Sequence, residues 1–474
     1  MLDRPIVLAV VGHVNAGKTS VIRTLARTGE FGDVDDAPGT TKTVVSVQRR
    51  FKDSVAVRLD DTPGLEDPVA LQEVIQAIPQ GLGALDRIRA FLRRPEASAE
   101  FAPEAKALRA ILDADAIVYV VDTREAVLPK FHCEASLLAT TAKPLVCVLN
   151  HLHSPDSRLA QWSAALSEHG IQAQIGLDAA APEPAALSLF YRSLGAALAT
   201  RRPEAGTLEA AAQGEAAIRR QEGVKSIATC LVSLAAMRRT LSRAEITDEA
   251  QRATRIDEIR REVVKQARFA HDALVQVHGF GVGDVEMPSL PGLSGRWEDD
   301  LFSPEALKIS AEKFGTGAAI GAAIGLGLDI ALAGLSLGVG TAIGAAIGGT
   351  AGQGFAPMGR ALANKVTGQQ DVSVEDPVLL LLGDRLLLLE AALSERGHGA
   401  AGPLATGSGV ALHETSAKVM SEALTPARSH ADWAIGQERS ESVNARRERC
   451  IAELAAVLEK VPTNRSLVFD GVQR

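Results

Sequence analysis

The sequence predicts an α/β domain, a mostly parallel sheet flanked by helices, followed by an all-α domain. Three observations carry this. Over about the first 200 residues, apolar runs at 6–11, 116–122 and 144–150 have strand length and are separated by stretches of helical spacing. Beyond about residue 200 the apolar pattern is helical almost throughout. Between the first strand and the first helix stands Gly12-His13-Val14-Asn15-Ala16-Gly17-Lys18-Thr19, which fits G-x-x-x-x-G-K-[ST].

That segment is a phosphate-binding loop in the right context. The apolar run 6–11 reads as a buried strand, and 20–28 as the start of a helix. Glycines let the backbone curl so that successive N–H groups point inward at an anion. The cradle comprises Gly12, Asn15, Ala16, Gly17, Lys18, Thr19 and Ser20. The following helix adds the positive end of its dipole. Lys18 supplies a fixed charge to the β- and γ-phosphates of a nucleotide, and the Thr19 hydroxyl is suited to ligate Mg²⁺. The first domain is therefore expected to be a P-loop nucleotide-binding domain.

Downstream, Ala37-Pro38-Gly39-Thr40-Thr41-Lys42 lies in a polar, turn-rich stretch. A threonine placed there reaches Mg²⁺ and the γ-phosphate only when a triphosphate is bound, which makes the segment a switch; the alternative is a plain surface turn. Val55-Ala56-Val57-Arg58-Leu59-Asp60-Asp61-Thr62-Pro63-Gly64 then runs from an edge-like strand into a turn. Asp61 ends that strand, where its carboxylate can hold Mg²⁺ directly or through water, and the Gly64 N–H can meet the γ-phosphate.

Together G-H-V-N-A-G-K-T, P-G-T-T and D-T-P-G resemble the Era/TrmE group of small GTPases, over about residues 1–200. The resemblance implies GTP and GDP as ligands, with Mg²⁺ held by Thr19, Asp61 and the second threonine of P-G-T-T, Thr41. Lys18, Thr41 and Gly64 would be the residues that act on the γ-phosphate. Asn15 is associated in some members with a K⁺ ion beside the phosphates, in place of an arginine finger. The residue after D-x-x-G is hydrophobic in that group, here Leu65, so weak intrinsic hydrolysis is expected. Elongation-factor GTPases share G-H-V-x-x-G-K-T, but Asn15-Ala16, the P-G-T-T switch and Leu65 depart from their pattern.

The base-reading motif N-K-x-D is altered. Asn150 fits, but His151 and His153 stand where lysine and aspartate are expected. The aspartate accepts hydrogen bonds from guanine N1–H and the 2-amino group, whereas a neutral histidine offers at most one acceptor. Guanine preference therefore rests on the resemblance, and a loop without base contact is the other reading. The best position for the loop that closes over the base is Leu177-Asp178-Ala179. About fifty residues separate Gly64 from Asp113, more than a minimal domain of this group needs. This insertion, at about 66–112, is expected to hold helices at 71–78 and 82–92 and a loop at 94–103. Arg87, Arg89, Arg93 and Arg94 form its basic cluster. It reads either as an extension of the second switch or as a solvated helical hairpin.

The remainder divides into a helical region at 205–310, a Gly/Ala-rich hydrophobic hairpin at 311–365 and a helical region at 366–474. Ile256, Ile259, Val263, Ala267, Ala270, Leu274 and Val277 make the apolar stripe of an amphipathic helix. Over 314–355 the only charge is Asp329, and glycine recurs every four residues. Such glycines clear one helix face for close backbone packing. Two helices at about 316–333 and 337–354 are expected, either inserted in or resting on a membrane, or buried as a soluble glycine zipper. The run 378–393, with Asp384, Arg385 and Glu390 inside it, reads as a core helix, and 397–409 as a flexible linker.

Composition bounds the partners. The chain has 474 residues, 46% apolar but only 4% aromatic, so its core rests on Ala, Leu, Val and Ile. A net charge of −8 argues against broad binding to nucleic acid: DNA is not expected, and RNA is disfavoured. Cys133, Cys147, Cys230 and Cys450 have neither metal nor redox spacing and read as thiols in a reducing cytoplasm. A strand begins within a few residues of Met1, leaving no room for a signal peptide. The expected protein is a cytoplasmic nucleotide switch with slow GTPase activity, coupled to a helical domain that docks on or enters a bacterial inner membrane. The alternatives are a nucleotide-binding scaffold with negligible turnover and a ribosome-assembly GTPase.

Overall fold

The computed structural model describes residues 4–28, 44–51, 56–78, 83–281, 285, 302, 335–337, 370–400, 404, 411–437 and 440–461. The chain divides into two compact units, residues 1–218 with 395–402, and residues 219–394 with 403–474.

The first unit is built on a six-stranded sheet. Its strands are β1 (Ile6–Val11), β2 (Val45–Arg50), β3 (Ala56–Asp61), β4 (Ala116–Asp122), β5 (Leu145–Asn150) and β6 (Gln174–Gly176). They lie in the order β2-β3-β1-β4-β5-β6. β2 runs antiparallel to β3 and every other pairing is parallel. β1 is buried over its whole length because its two faces serve two cores. Val7, Ala9 and Val11 face one core, and Ile6, Leu8 and Val10 face the other, the period-two alternation of a strand covered on both sides. The second core is closed by α1 (Lys18–Ala26) and α7 (Pro184–Leu198).

The first core is closed by α2 (Pro68–Gln76), α3 (Ala84–Phe91), α4 (Ala102–Asp113), α5 (Pro129–Thr140) and α6 (Leu159–Glu168). Two of these are the helices expected in the insertion, but they are core rather than a solvated hairpin. Leu71, Ile75, Ile88 and Phe91 are buried against the same cluster as β1 and β4. The basic residues stay outward: Arg93 is exposed, and Arg89 pairs with Asp86 at 3.2 Å on the surface. α4 corrects the expected loop at its end, since Pro103 sits in the first turn of a helix, where its missing N–H costs nothing. A second correction concerns β3, which is not an edge strand; β2, whose side chains are half-exposed to exposed, takes the edge beside it.

In the second unit the principal helices are α8 (Leu208–Ala236) from residue 219 onward, α10 (Glu249–Val277), α11 (Asp376–Glu395), α12 (Glu414–Leu424) and α13 (Glu441–Glu459), with a short α9 (Arg243–Thr247) between α8 and α10. The α10 stripe is buried as its spacing predicts, with Val275 in place of Val277 at its end. α11 is buried from Pro377 to Leu393, charges included. Asp384 accepts the backbone N–H groups of Ala411 and Leu412, both at 2.8 Å, and pairs with Arg385. Glu390 pairs with Arg220. Charges in such a place persist only when paired and hydrogen-bonded.

This unit is not wholly helical. β7 (Arg238–Leu241), β8 (Leu335–Leu337) and β9 (Gln370–Val374) form an antiparallel sheet in the order β7-β9-β8. Partners 131 residues apart make it invisible to local pattern. β8 lies at the expected turn of the glycine-rich hairpin and takes residue 337 from its second helix. The two hairpin helices otherwise lie outside the described residues. No helix among the described residues is long and apolar enough to cross a membrane.

Part of the expected linker is likewise fixed. The Gly397 N–H donates to the Ala180 carbonyl at 2.9 Å, and the Gly399 N–H to the Thr24 hydroxyl at 3.2 Å. Glycine is required for this approach, because a Cβ on Gly397 would lie 1.9 Å from the Ala179 oxygen.

Candidate functional site

All the polar loops of interest leave the carboxyl ends of the parallel strands, where open α/β sheets place their ligand crevice. The loop after β1 turns through three special backbone positions, Gly12 (φ 149°), Asn15 (φ 63°) and Gly17 (φ 89°). Gly12 is pressed against β4; a Cβ there would stand 2.2 Å from the Val120 carbonyl oxygen. Asn15 occupies the left-handed region that asparagine tolerates, and it is exposed. Ala16 is buried, and Ser20 lies in the first turn of α1.

Inside the loop, the buried Lys18 ammonium donates to the Gly12 and His13 carbonyls at 3.1 and 3.0 Å. Burial lowers its pKa against the opposing pull of Asp61 and Glu134. The Thr19 hydroxyl donates to Asp61 Oδ2 at 2.8 Å. Two hard oxygen atoms, one at the helix start and one at the end of β3, thus meet beside the loop after β1; oxygens of this kind are what Mg²⁺ takes. Thr41 and the whole P-G-T-T turn lie outside the described residues.

The D-T-P-G turn is held from several sides. Thr62 donates to the Val10 carbonyl through its hydroxyl at 2.8 Å, and Gly64 packs so tightly that a Cβ would approach Val14 Cγ2 to 2.8 Å. Leu65 is fully buried, and its carbonyl lies 3.0 Å from His13 Nδ1. Beyond it, Glu104 of α4 accepts the N–H groups of Glu66 and Asp67, both at 3.3 Å. His13 Nε2 in turn meets the Lys130 ammonium at 2.9 Å. Burial, then the neighbouring Lys130, lowers the His13 pKa. Neither Glu104 nor Lys130 was visible as a site residue in sequence; a lone glutamate in a helix and a lysine after a proline carry no local signal.

At the end of β5 Asn150 is a hub. It is buried, donates through Nδ2 to the Ala16 carbonyl at 3.2 Å and accepts the Ala179 N–H at 3.0 Å, so one side chain ties the phosphate loop to the loop after β6. Residue 151 takes a left-handed turn (φ 61°), and burial lowers the pKa of its imidazole. Its Nε2 approaches the phosphate loop, 3.8 Å from where a Gly17 Cβ would stand. His153 is more exposed, with Nδ1 3.5 Å from Asp178 and Nε2 3.9 Å from Glu183. Asp178 thus joins the altered motif through space. Thr123 anchors the same loop, its hydroxyl donating to the Asn150 carbonyl at 2.8 Å.

Comparison with known proteins agrees with this geometry. Residues 7–151 match the family described as 50S ribosome-binding GTPase, and residues 163–456 match a domain of unknown function, DUF3482. GTPase Der of Brucella suis is 27% identical over 161 residues, 33% of this chain and 27% of that one. GTPase Der of Chloroflexus aurantiacus is 30% identical over 167 residues, covering 33% of this chain and 30% of the relative. The chain therefore spans less than a third of the length of these relatives. Among solved structures, a point variant of Aquifex aeolicus Era bound to GDP and AlF₄⁻ aligns at 18% identity and a TM-score of 0.28, over 36% of this chain and 50% of that one. The DUF3482 match begins within α6, so it includes α7 and β6 of the first unit as well as the second unit. Residues 7–151 thus form a GTP-binding P-loop GTPase domain similar to that of GTPase Der, and the chain belongs, through residues 163–456, to the DUF3482 family.

Proposed function

We propose that this protein is a nucleotide-dependent switch that hydrolyses GTP slowly to GDP and phosphate. The observation that carries this reading is the meeting of Thr19, Asp61 and Lys18 in one cradle, with Asn150 joining it to the base-side loop. Thr19 and Asp61 would hold Mg²⁺, with Thr41 joining when GTP is bound; the metal would offset phosphate charge. Lys18, now bonded to loop carbonyls, is positioned to exchange them for phosphate oxygens. Asn15, exposed at the rim, would contribute to a K⁺ site. Slow turnover is supported by Leu65, a fully buried apolar residue where a polar group would orient the attacking water.

The C-terminal unit would read the nucleotide state from the cytoplasm, and its glycine-rich segment would meet the inner membrane. The test is phosphate release by the full chain with GTP or ATP, in potassium and in sodium buffer, with and without anionic vesicles, and with Lys18→Ala as control. GTP-selective release that requires Lys18, rises in potassium and changes with vesicles is the expected result. Equal use of ATP refutes guanine selectivity. Tight binding without release favours the scaffold reading. Stimulation by ribosomal subunits rather than vesicles favours ribosome assembly.

A further inference from the structure

His13 stands at the second position of the phosphate loop, and its ring makes one bond at each nitrogen. A lysine ammonium has three protons and no lone pair, so at 2.9 Å it can only donate. Nε2 of His13 must therefore accept from Lys130, and the imidazole proton sits on Nδ1. There it donates to the Leu65 carbonyl at 3.0 Å. The partners fix the less common tautomer of a neutral imidazole. The ring is held edge-on to Phe131, with centroids 5.3 Å apart, and Lys130 stands 4.8 Å above the same Phe131 ring.

Lys130 and Phe131 belong to the first turn of α5, which is packed into the core by Phe131, Glu134, Ala135, Leu137 and Leu138. The chain of contacts thus runs from a core helix, through the phosphate loop, to the residue after D-T-P-G. Glu104 fixes the next two N–H groups. Leu65 has an apolar side chain, so the handle on this turn is its backbone.

We propose that Lys130 and His13 are a positioning pair that holds the Leu65 carbonyl, and with it the Gly64 N–H, in register with the phosphate loop. The pair substitutes a backbone clamp for the polar side chain this turn lacks. The proposal rests on the GTPase reading for its catalytic consequence, but the clamp itself exists without nucleotide. Lys130 is a positioning residue and touches no reacting atom.

The full chain, nucleotide-free and with ¹⁵N-labelled histidine rings, gives the direct test, with His13→Gln to assign the resonances. The expected wild-type signal for His13 is a protonated Nδ1 and an unprotonated Nε2. Lys130→Met should move the population towards the Nε2–H form, and Lys130→Arg should retain the wild-type signal. A wild-type His13 protonated at Nε2 overturns the proposal without any variant. In phosphate release, Lys130→Met should lower kcat about fivefold, the weight of one hydrogen bond. KM should stay within about twofold, since Lys130 touches no nucleotide, and Lys130→Arg should recover most of the loss. The Nδ1–H signal with unchanged kcat overturns the positioning role. Absence of GTP binding refutes the GTPase reading, and the tautomer still decides the clamp.

Discussion

Glu134 offers the sharpest test of the electrostatics beneath the phosphate loop. It lies on α5, is 1% exposed, and accepts a 2.9 Å hydrogen bond from the Tyr119 hydroxyl. Its other oxygen has no hydrogen-bond partner among the described residues. Burial raises its pKa from 4.5 to about 7, against the opposing effects of Tyr119, Lys18 and Lys130. The sign follows from linkage. The native state keeps a proton that the unfolded chain releases near 4.5, so this group's contribution is present below that pH and is lost as pH rises through about 7. The displacement corresponds to roughly 3 kcal/mol lost by pH 8, and to about 1 kcal/mol already lost at pH 5. Glutamine keeps the shape and the acceptor for Tyr119 but cannot ionise. Glu134→Gln should therefore stabilise the first unit progressively, by about 2–3 kcal/mol more at pH 8 than at pH 5. At about 2–4 °C per kcal/mol for a unit of this size, its calorimetric transition should gain roughly 5–10 °C between those pH values, relative to wild type. A difference between variant and wild type that is flat from pH 5 to 8 would show that Glu134 is ionised in the fold and would refute the reasoning.

Two further outcomes follow from the site. Gly12→Ala places a Cβ 2.2 Å from the Val120 oxygen at a φ that L-residues rarely adopt, so fluorescent GDP titration should show affinity reduced about ten- to hundredfold. His153→Asp restores a carboxylate beside Asp178 on an exposed loop and should raise the preference for GTP over ITP, which lacks the 2-amino group, by about tenfold; an unchanged ratio in competitive binding would remove residue 153 from base reading.

Much of the first unit was legible because its signals are local. The run from Gly12 to Thr19 carries its own turn chemistry, and β1, β4 and β5 are apolar runs that read as buried strands without neighbours to consult. Asp61 and Gly64 were singled out by spacing, and the Asp61 carboxylate accepts a 2.8 Å hydrogen bond from Thr19. α10 and α11 were equally legible, since helical period and length need no partner. β2 was not, because an exposed edge strand has no apolar signature. Nor was α4, where a proline that opens a helix looks the same as one that ends a loop.

The sequence by itself determined where the phosphate-loop pattern stands and which segments are apolar enough to be core, because both depend on a few consecutive side chains. The tertiary structure alone decided that Lys130, 117 residues from His13, meets its ring, and that Glu104 holds the turn after Leu65. It likewise decided that Gly397 and Gly399 pack within the first unit against Ala180 and Thr24, and that β9 pairs with β7 and β8. Each of these is a hydrogen bond between groups far apart in the chain, whose partner is chosen by packing and leaves no periodicity in the sequence to read.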